Sequence, residues 1–457
     1  MKQRFVFFLF VIGCVNLSVS QEEVFSFEAY KSTVLKNHPL LAKAENLKRL
    51  GDAERLKASG GFDPSIASNI GQKSFDGKEY YWTSNTSIKI PTWIGANLKS
   101  GYEANRGYYL NNDMTVPSAG LWYAGIEIPL GQGLLYDERR LQLQQAKNLQ
   151  SLGLIEQQLQ INDVLLDAYA SYWSWVEAYK KLRIAKEGYE LASQRFLAVK
   201  EQTLAGESSA IDTVEALILL ENRTVEQNQA QTLYANTKLM VQTFLWNDNL
   251  IPVDIPAKVI PQLDVVQTIS PLDVTKEIDS LPSIQQANYK VEQLALELKW
   301  KKEVLKPTIN LNYNVLTKPV GDNQLSPISM QNYKVGITGY VPLFLRKERG
   351  GVRLTKAKME NASYDLADKK REYQWKISSM SNDIQLLSIN LTTQQRLVDH
   401  AKKLRDAELT RFYAGESSLF LINTREQSYL SAENKLVELE IKYAISSLKM
   451  KWLLNKM

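Results

Sequence analysis

Side chains able to do nucleophilic or metal chemistry are scarce in this sequence. The 457 residues hold two histidines, His38 and His400, and one cysteine, Cys14. Catalytic triads and zinc centres are built from closely placed histidines, cysteines and carboxylates. No such spacing occurs, nor does a glycine-rich phosphate loop. Carboxylates are numerous, but they recur at the surface spacings of coiled-coil helices. The sequence therefore predicts no enzyme, no cofactor and no metal site.

The first twenty residues have the three-part pattern of a secretory signal. Basic residues precede an apolar run, Phe5–Gly13, and small residues follow as far as Ser20. One prediction is cleavage after Ser20. The alternative is a lipoprotein box beginning at Val11, which would leave Cys14 lipidated as the first mature residue. Either way the mature chain has no disulfide, so packing must hold it together.

Charge and hydropathy exclude two classes of partner or anchor. Removal of Lys2 and Arg4 with the signal lowers the formal net charge from +5 to +3. No cluster of basic residues with interleaved aromatic residues marks a nucleic-acid surface, so no nucleic acid is predicted as a partner. No later segment holds the ~18 uninterrupted apolar residues of a transmembrane helix. A membrane span is therefore expected in strands.

An internal repeat organises the chain. The five residues Ala205–Ser209 recur identically 209 residues later as Ala414–Ser418. Other landmarks recur in the same order: Ile128-Pro129-Leu130 resembles Val341-Pro342-Leu343, and His38-Pro39-Leu40 resembles Leu281-Pro282-Ser283. We predict a signal at 1–20, a first repeat at 21–246, a Pro-rich connector at 247–280 and a second repeat at 281–457. Each repeat is expected to hold a helix, a β-hairpin and a long helical hairpin.

The two hairpin regions differ in length. Pro64 and Pro129 lie 65 residues apart, whereas Pro307 and Pro342 lie 35 apart. The first hairpin region therefore carries about 30 extra residues, enough for a further strand pair or for a long loop.

Two segments of the second repeat alternate polar and apolar residues as two-faced strands do. They are 308–315 and 332–339. Each approaches the ~9–11 residues that cross a bilayer when tilted. Aromatic residues near strand ends of the first repeat would suit an interfacial girdle; they are Tyr80, Tyr81, Trp93, Tyr108 and Tyr109. The edge of a soluble β-sandwich is the alternative interpretation.

The helical segments have coiled-coil periodicity. Apolar residues from Leu152 to Val176, and again from Tyr373 to Val398, follow spacings of three, four or seven residues, as in a coiled-coil seam. A helix from Asp137 to Leu204 would be ~100 Å long. The stretch 222–232 is almost wholly polar, as expected either for a wall with water inside or for a solvated outer face.

One chain of this kind is too small to close a barrel in lipid, because closure needs about eight strands. Two hairpins supply four strands, so three copies would give twelve. If the extra residues of the first hairpin region add two strands, two copies would also reach twelve.

The sequence resembles the TolC-like outer-membrane efflux channel family over essentially the whole mature chain. The helix containing Leu35–Leu40, the duplicated hairpin-then-helix blocks and the paired glycine turns carry the resemblance, above all Phe412–Ser418 followed by Leu421-Ile422. It implies a mostly α fold with β-structure and two repeats. Long antiparallel coiled-coil helices would form a periplasmic tunnel, and the hairpins would contribute to a trimeric, twelve-stranded outer-membrane β-barrel.

The resemblance also implies partners and site residues. The partners are two further copies of the chain, a periplasmic adaptor protein, an inner-membrane pump of the RND or ABC type and outer-membrane lipid. Two glycine turns would form the periplasmic tips where adaptors dock: Gly206, Glu207, Ser208, Gly415, Glu416 and Ser417. Asp399, Arg405 and Asp406 would lie near a narrow aperture of the tunnel; a solvated helix face is the alternative for them.

The predicted function is a passive outer-membrane exit duct of a tripartite efflux or type I secretion system. It would carry small molecules or polypeptides from a pump complex to the exterior. The alternative is a periplasmic coiled-coil adaptor or scaffold. Alternating strands of bilayer length favour the duct, because an adaptor would carry compact lipoyl-like β modules.

Overall fold

The structure is a computed structural model that describes residues 23–263, 278–320 and 324–457. The predicted signal with Cys14, and residues 264–277 of the predicted connector, lie outside the described residues. Contacts divide the chain into two compact units. Among the described residues, the first comprises 23–39, 165–263 and 382–449, and the second comprises 40–164, 278–320, 324–381 and 450–457.

Long helices dominate the chain. The helices are α1 (Phe27–Asn37), α2 (Pro39–Ser59), α3 (Glu138–Leu204), α4 (Ala210–Gln242), α5 (Pro282–Glu303), α6 (Arg346–Tyr413) and α7 (Leu419–Leu453). The 67 residues of α3 match the helix predicted from Asp137 to Leu204. None of the helices within the described ranges is both long enough and apolar enough to cross a membrane.

Within the described residues, the strands form one large sheet and two small pairs. They are β1 (Glu23–Phe25), β2 (Ser65–Phe75), β3 (Lys78–Pro91), β4 (Asn97–Arg106), β5 (Leu121–Pro129), β6 (Val259–Pro261), β7 (Thr308–Thr317), β8 (Pro319–Val320), β9 (Gln324–Leu325) and β10 (Tyr333–Tyr340). The large sheet has the order β10-β7-β5-β4-β3-β2, and β1 pairs with β6 in parallel. The extra residues of the first hairpin region thus form strands rather than a loop.

Every neighbouring pair in the large sheet is antiparallel. The register places Ile88, Ala124 and Val315 on one face, because Ile88 pairs with Ser100, Ser100 with Ala124, and Ala124 with Val315. Successive side chains alternate between faces. The same register puts Asn85, Glu103, Tyr123 and Leu316 on the opposite face.

In the second unit, the helices contact one another in a row. Gln150 of α3 bonds to Asp52 of α2 at 2.6 Å, and no side chain fits at Gly51, where the backbone of Gln150 lies 2.8 Å from an added Cβ. Gln286 of α5 then donates to Glu156 of α3. Tyr373 of α6 donates to Ser283 at the start of α5 at 2.7 Å. The row is therefore α2-α3-α5-α6.

In the first unit, aromatic residues of α1 and α3 form the densest core. Tyr30 and Tyr172 are fully buried, and their rings stack 5.3 Å apart. The Tyr30 hydroxyl donates to the carbonyl of Ala168, and that of Tyr172 donates to the carbonyl of Phe25. Burial of these large rings stabilises this end of the unit.

The predicted fold class, mostly helical with long antiparallel helices and a β-sheet, is confirmed.

Candidate functional site: the helix-hairpin tips and the charged layer behind them

The two glycine turns have the same backbone geometry. Gly206 and Gly415 have φ of +79° and +77°. Gly206 N–H bonds to the carbonyl of Thr203, and Glu207 N–H bonds to that of Gln202. The turn after α6 repeats both bonds from Gly415 and Glu416. This is a Schellman motif, in which glycine supplies the left-handed residue that ends a helix.

The following helices begin at serines. Ser209 caps α4 in a reciprocal capping box with Asp212, and Ser418 Oγ accepts a hydrogen bond from Leu421 N–H at the start of α7. Each cap satisfies backbone donors that a helix start leaves unpaired. Local sequence therefore dictates both reversals of the chain.

The tip residues predicted from the sequence lie in these turns. Glu207 and Glu416 are exposed, whereas Ser208 and Ser417 are half-buried. The Ser417 hydroxyl donates to Glu408 at 2.6 Å, and Glu408 is itself buried at 6% exposure. The two glutamates are thus available at the surface, while Ser417 is held within its own hairpin.

A shared apolar core joins the two tips. Val199 and Ala216 of the first hairpin pack with Leu419 and Ile422 of the second. Ile422 is fully buried. The two tips therefore lie side by side.

Large apolar side chains are exposed around the tips. They are Leu204, Ile211, Val214, Tyr413 and Phe420, each more than half exposed. Our sequence reasoning did not single them out. The sequence could have indicated their exposure, because each lies within five residues of a predicted turn and outside the buried seams of the helices.

A buried ion pair stands about three helical turns behind the tip glycines. Arg195 Nη2 of α3 donates to Glu426 Oε2 of α7 at 2.6 Å, with side-chain exposures of 8% and 2%. Arg195 Nη1 also donates to Asn423. Sequence reasoning missed this pair, since both residues stand in helices rich in surface charge.

Of the three predicted aperture residues, Arg405 and Asp406 are in contact. Arg405 donates to Asp406 Oδ1 from Nε and Nη2 at 2.9 and 2.7 Å. It also reaches Glu187 of α3 at 3.6 Å and lies 4.2 Å over the ring of Tyr429 of α7. The Arg405 side chain is 14% exposed and links α3, α6 and α7, so we call Arg405, Glu187 and Tyr429 the brace. Asp406 is half exposed.

The electrostatics of this brace follow from burial and charge. Burial lowers the pKa of Arg405, but the hydrogen bond from Arg405 to Asp406 and the nearby carboxylates outweigh it and raise that pKa overall. Burial raises the pKa of Glu433, which accepts a hydrogen bond from the Tyr429 hydroxyl. The brace therefore keeps a permanent cation between α3, α6 and α7.

Asp399 stands apart from the brace. It is exposed and accepts a hydrogen bond from Gln395 at 3.4 Å. Seven residues, or about two helical turns, separate it from Asp406 on the same face of α6.

The polar stretch 222–232 makes more contacts inside the protein than its composition suggests. Arg223 is 3% exposed and donates to Glu226 and to Gln427 of α7 at 2.7 Å each. The stretch lines a cavity of about 360 Å³ between α3, α4 and α7.

In the second unit, one face of the large sheet carries a lattice of polar contacts. Glu127 of β5 accepts from Lys89 of β3 at 3.2 Å and forms an ion pair with Lys99 of β4. Asn97 also donates to Glu127 and accepts from Arg139. Sequence reasoning missed this lattice, because its members come together only through the strand register.

Within the described residues, no group of three or more His, Cys, Asp or Glu could hold a metal ion.

Comparison with known proteins identifies the fold. Residues 275–456 match the family model of outer membrane efflux proteins. The CmeC outer membrane channel of Campylobacter jejuni is similar over 94% of this chain and 85% of its own, with 14% identity and a TM-score of 0.67. The chain has the fold of the outer-membrane efflux channels. The predicted resemblance to this family is confirmed.

Two further outer membrane proteins share this fold. The MtrE outer membrane channel of Neisseria gonorrhoeae, solved in its open state, is 12% identical over 94% of this chain and 88% of its own, with a TM-score of 0.66. The outer membrane protein VceC of Vibrio cholerae is 12% identical over 94% of this chain and 95% of its own, with a TM-score of 0.64. Comparison with curated protein sequences finds no match. The predicted location, the outer membrane, agrees with the matching family and with the names of the proteins that share the fold.

Proposed function

We propose that this chain is the outer-membrane exit duct of a tripartite efflux or type I secretion system. It is a passive conduit for small molecules or polypeptides that a pump complex delivers. The large sheet carries the proposal, because an apolar face and a charged, hydrogen-bonded face run across the same strands. Lipid on one side and water on the other is the environment that suits such a sheet.

The assembly is a homotrimer, as in the family that the sequence resembles. One chain has six strands in its large sheet, and a single-chain barrel needs about eight to close. The sheet therefore needs further copies. A periplasmic adaptor protein and an inner-membrane pump of the RND or ABC type complete the system, and energy comes from that pump.

The adaptor docks at the paired tips. Glu207 and Glu416 supply exposed charge there, and Leu204, Ile211 and Phe420 supply exposed apolar surface. A polar rim around an apolar centre is the usual composition of a protein interface. Asp399 and Asp406 contribute to the aperture of the duct.

An adaptor or scaffold function is less well supported. Such a protein would carry compact β modules, whereas the β-strands here join one six-stranded sheet with alternating faces. An enzyme is not proposed.

Charge reversal at the tips tests the docking surface. The double variant Glu207→Lys, Glu416→Lys should lose pump-dependent efflux while the oligomer stays intact on a gel. The matched control is Glu45→Lys, Glu360→Lys, which makes the same charge change at two exposed helix positions far along the chain from the tips. Undiminished efflux in the tip variant would contradict docking at the tips.

A further inference from the structure

The large sheet has more strands than the four supplied by two hairpins. The extra residues between Pro64 and Pro129 extend the antiparallel sheet, with one shift of register between Lys73 and Ser74 of β2. Strand β2 pairs with β3 from Ser65 opposite Lys89 to Phe75 opposite Lys78, and β3 pairs with β4 from Trp82 opposite Arg106 to Pro91 opposite Asn97. Strands β2 and β3 are 11 and 14 residues long, at or above the ~9–11 residues that span a bilayer.

The apolar face continues across all six strands. Ile66 of β2 pairs with Ile88 of β3, and Ile337 of β10 pairs with Leu311 of β7. The register connects these positions through β4 and β5. Large apolar side chains on this face are exposed to an unusual extent; examples are Ile66 at 73%, Ile70 at 70%, Val335 at 54% and Ile337 at 68%. Strands β2 and β3 thus share this apolar face, although theirs also holds the small polar residues Ser68, Ser84 and Thr86.

The width of the sheet fits the helices in the same unit. Four helices in a row, about 8–10 Å apart, span about 32–40 Å. Six strands spaced about 4.8 Å apart and tilted by about 35–45° span about 35–41 Å around a barrel. Four strands would span only about 23–27 Å by the same estimate. The six-stranded sheet is as wide as the helix row α2-α3-α5-α6.

The two outer strands leave unpaired edges in one copy. All eight residues of β10 are exposed, and so are all residues of β2 except Gly71. Because the six strands alternate in direction, β2 and β10 run antiparallel to each other. An even number of strands therefore lets β2 of one copy continue the antiparallel pattern with β10 of the next, which removes the edge.

We propose that all six strands of each copy belong to the membrane barrel, an inference that rests on the proposed duct of three copies. The assembled barrel then has eighteen strands, and β2 of each copy pairs with β10 of a second copy. Its diameter between strand axes is about 36 Å, against about 24 Å for twelve strands at the same tilt. The additional strands widen the exit for bulky cargo.

Disulfide cross-linking tests which strand meets β10. Ser68→Cys on β2 and Ser100→Cys on β4 lie on the same face of the sheet. Each is combined in turn with a cysteine at Val335, Ile337 or Gly339 of β10. If all six strands belong to the barrel, at least one Ser68→Cys combination forms inter-chain disulfides in isolated outer membranes. The linked products then form a ladder of one, two and three copies and no larger species. The Ser100→Cys combinations form none, since β4 is internal. The wild-type chain, whose only cysteine is Cys14, is the blank.

Other outcomes overturn the proposal in distinguishable ways. Cross-linking through Ser100→Cys instead of Ser68→Cys would mean that β4 forms the edge and that the barrel takes four strands per copy. A ladder that ends at two copies would mean twelve strands. Cross-linking through neither serine position would exclude contact between β2 and β10. Absence of the protein from outer membranes would contradict the proposed function itself.

Discussion

Arg195 of α3 and Glu426 of α7 form a buried ion pair, 2.6 Å from Nη2 to Oε2. It links the first helical hairpin to the second about three helical turns behind the tip glycines. Removing one partner of such a pair leaves an uncompensated buried charge and costs about 3–5 kcal/mol. Replacing both partners by apolar residues is often close to neutral.

We therefore expect Arg195→Met and Glu426→Leu each to destabilise the folded protein by about 3–5 kcal/mol. The double variant should lose much less, because no isolated charge remains. Thermal or denaturant unfolding of the purified oligomer, followed by circular dichroism, measures all three. If the losses of the single variants simply add in the double variant, the two side chains do not interact as the structure indicates.

The left-handed glycine of the second tip makes the next prediction. Gly415→Ala forces a side chain into φ of +77°, which costs about 1–2 kcal/mol. Gly350→Ala is the control: Gly350 lies inside α6 with nothing within 4 Å of an added Cβ. That change should stabilise the helix by about 1 kcal/mol. Equal effects of the two substitutions in unfolding experiments would contradict the turn geometry.

Stability should also depend on pH through His38. Burial lowers the pKa of His38 from its ordinary 6.5, and its ring stacks on Phe244 at 5.6 Å. The folded state therefore favours the neutral ring, whose contribution is fully present above pH 6.5. That contribution is lost as the pH falls from 6.5 through the lower folded pKa, because the unfolded chain then binds more protons.

His38→Gln should therefore weaken the loss of stability between pH 7.5 and about 5. Unfolding temperatures measured over this range compare the variant with the wild type. His400→Gln is the matched control, since it removes the other histidine, from an exposed helix surface. Identical pH dependence of His38→Gln and the wild type would exclude His38 as the cause.

Asp406 should influence conduction. It is half exposed beside the brace of Arg405, Glu187 and Tyr429. Loss of a carboxylate at a narrow passage changes both the local field and the width. We expect Asp406→Ala to alter single-channel conductance, and Asp368→Ala, an exposed residue far along the same helix, to leave it unchanged. An unchanged conductance in Asp406→Ala would favour a solvated helix face.

The long helices and the tips could be predicted because their signals are local. Coiled-coil spacing identified α3 from Asp137, one residue before its observed start at Glu138. The motif Ala-Gly-Glu-Ser-Ser holds the left-handed glycine and the serine caps within five residues.

The strand number of the first hairpin region could not be predicted in the same way. Ser68, Ser84 and Thr86 stand on the apolar face of β2 and β3, so the alternation is weak there. Arg405 is a second example. It resembles a surface charge in sequence, and only the approach of α3 and α7 shows that it is a brace. Contacts between distant segments decide both features.

Single-channel recording in a planar bilayer tests the central claim most directly. We predict that the purified wild-type oligomer inserts and gives discrete conductance steps, as an open-ended duct must. An oligomer that fails to insert and gives no conductance steps would contradict the account. Recovery of the protein from cells as a soluble periplasmic monomer would contradict it as well.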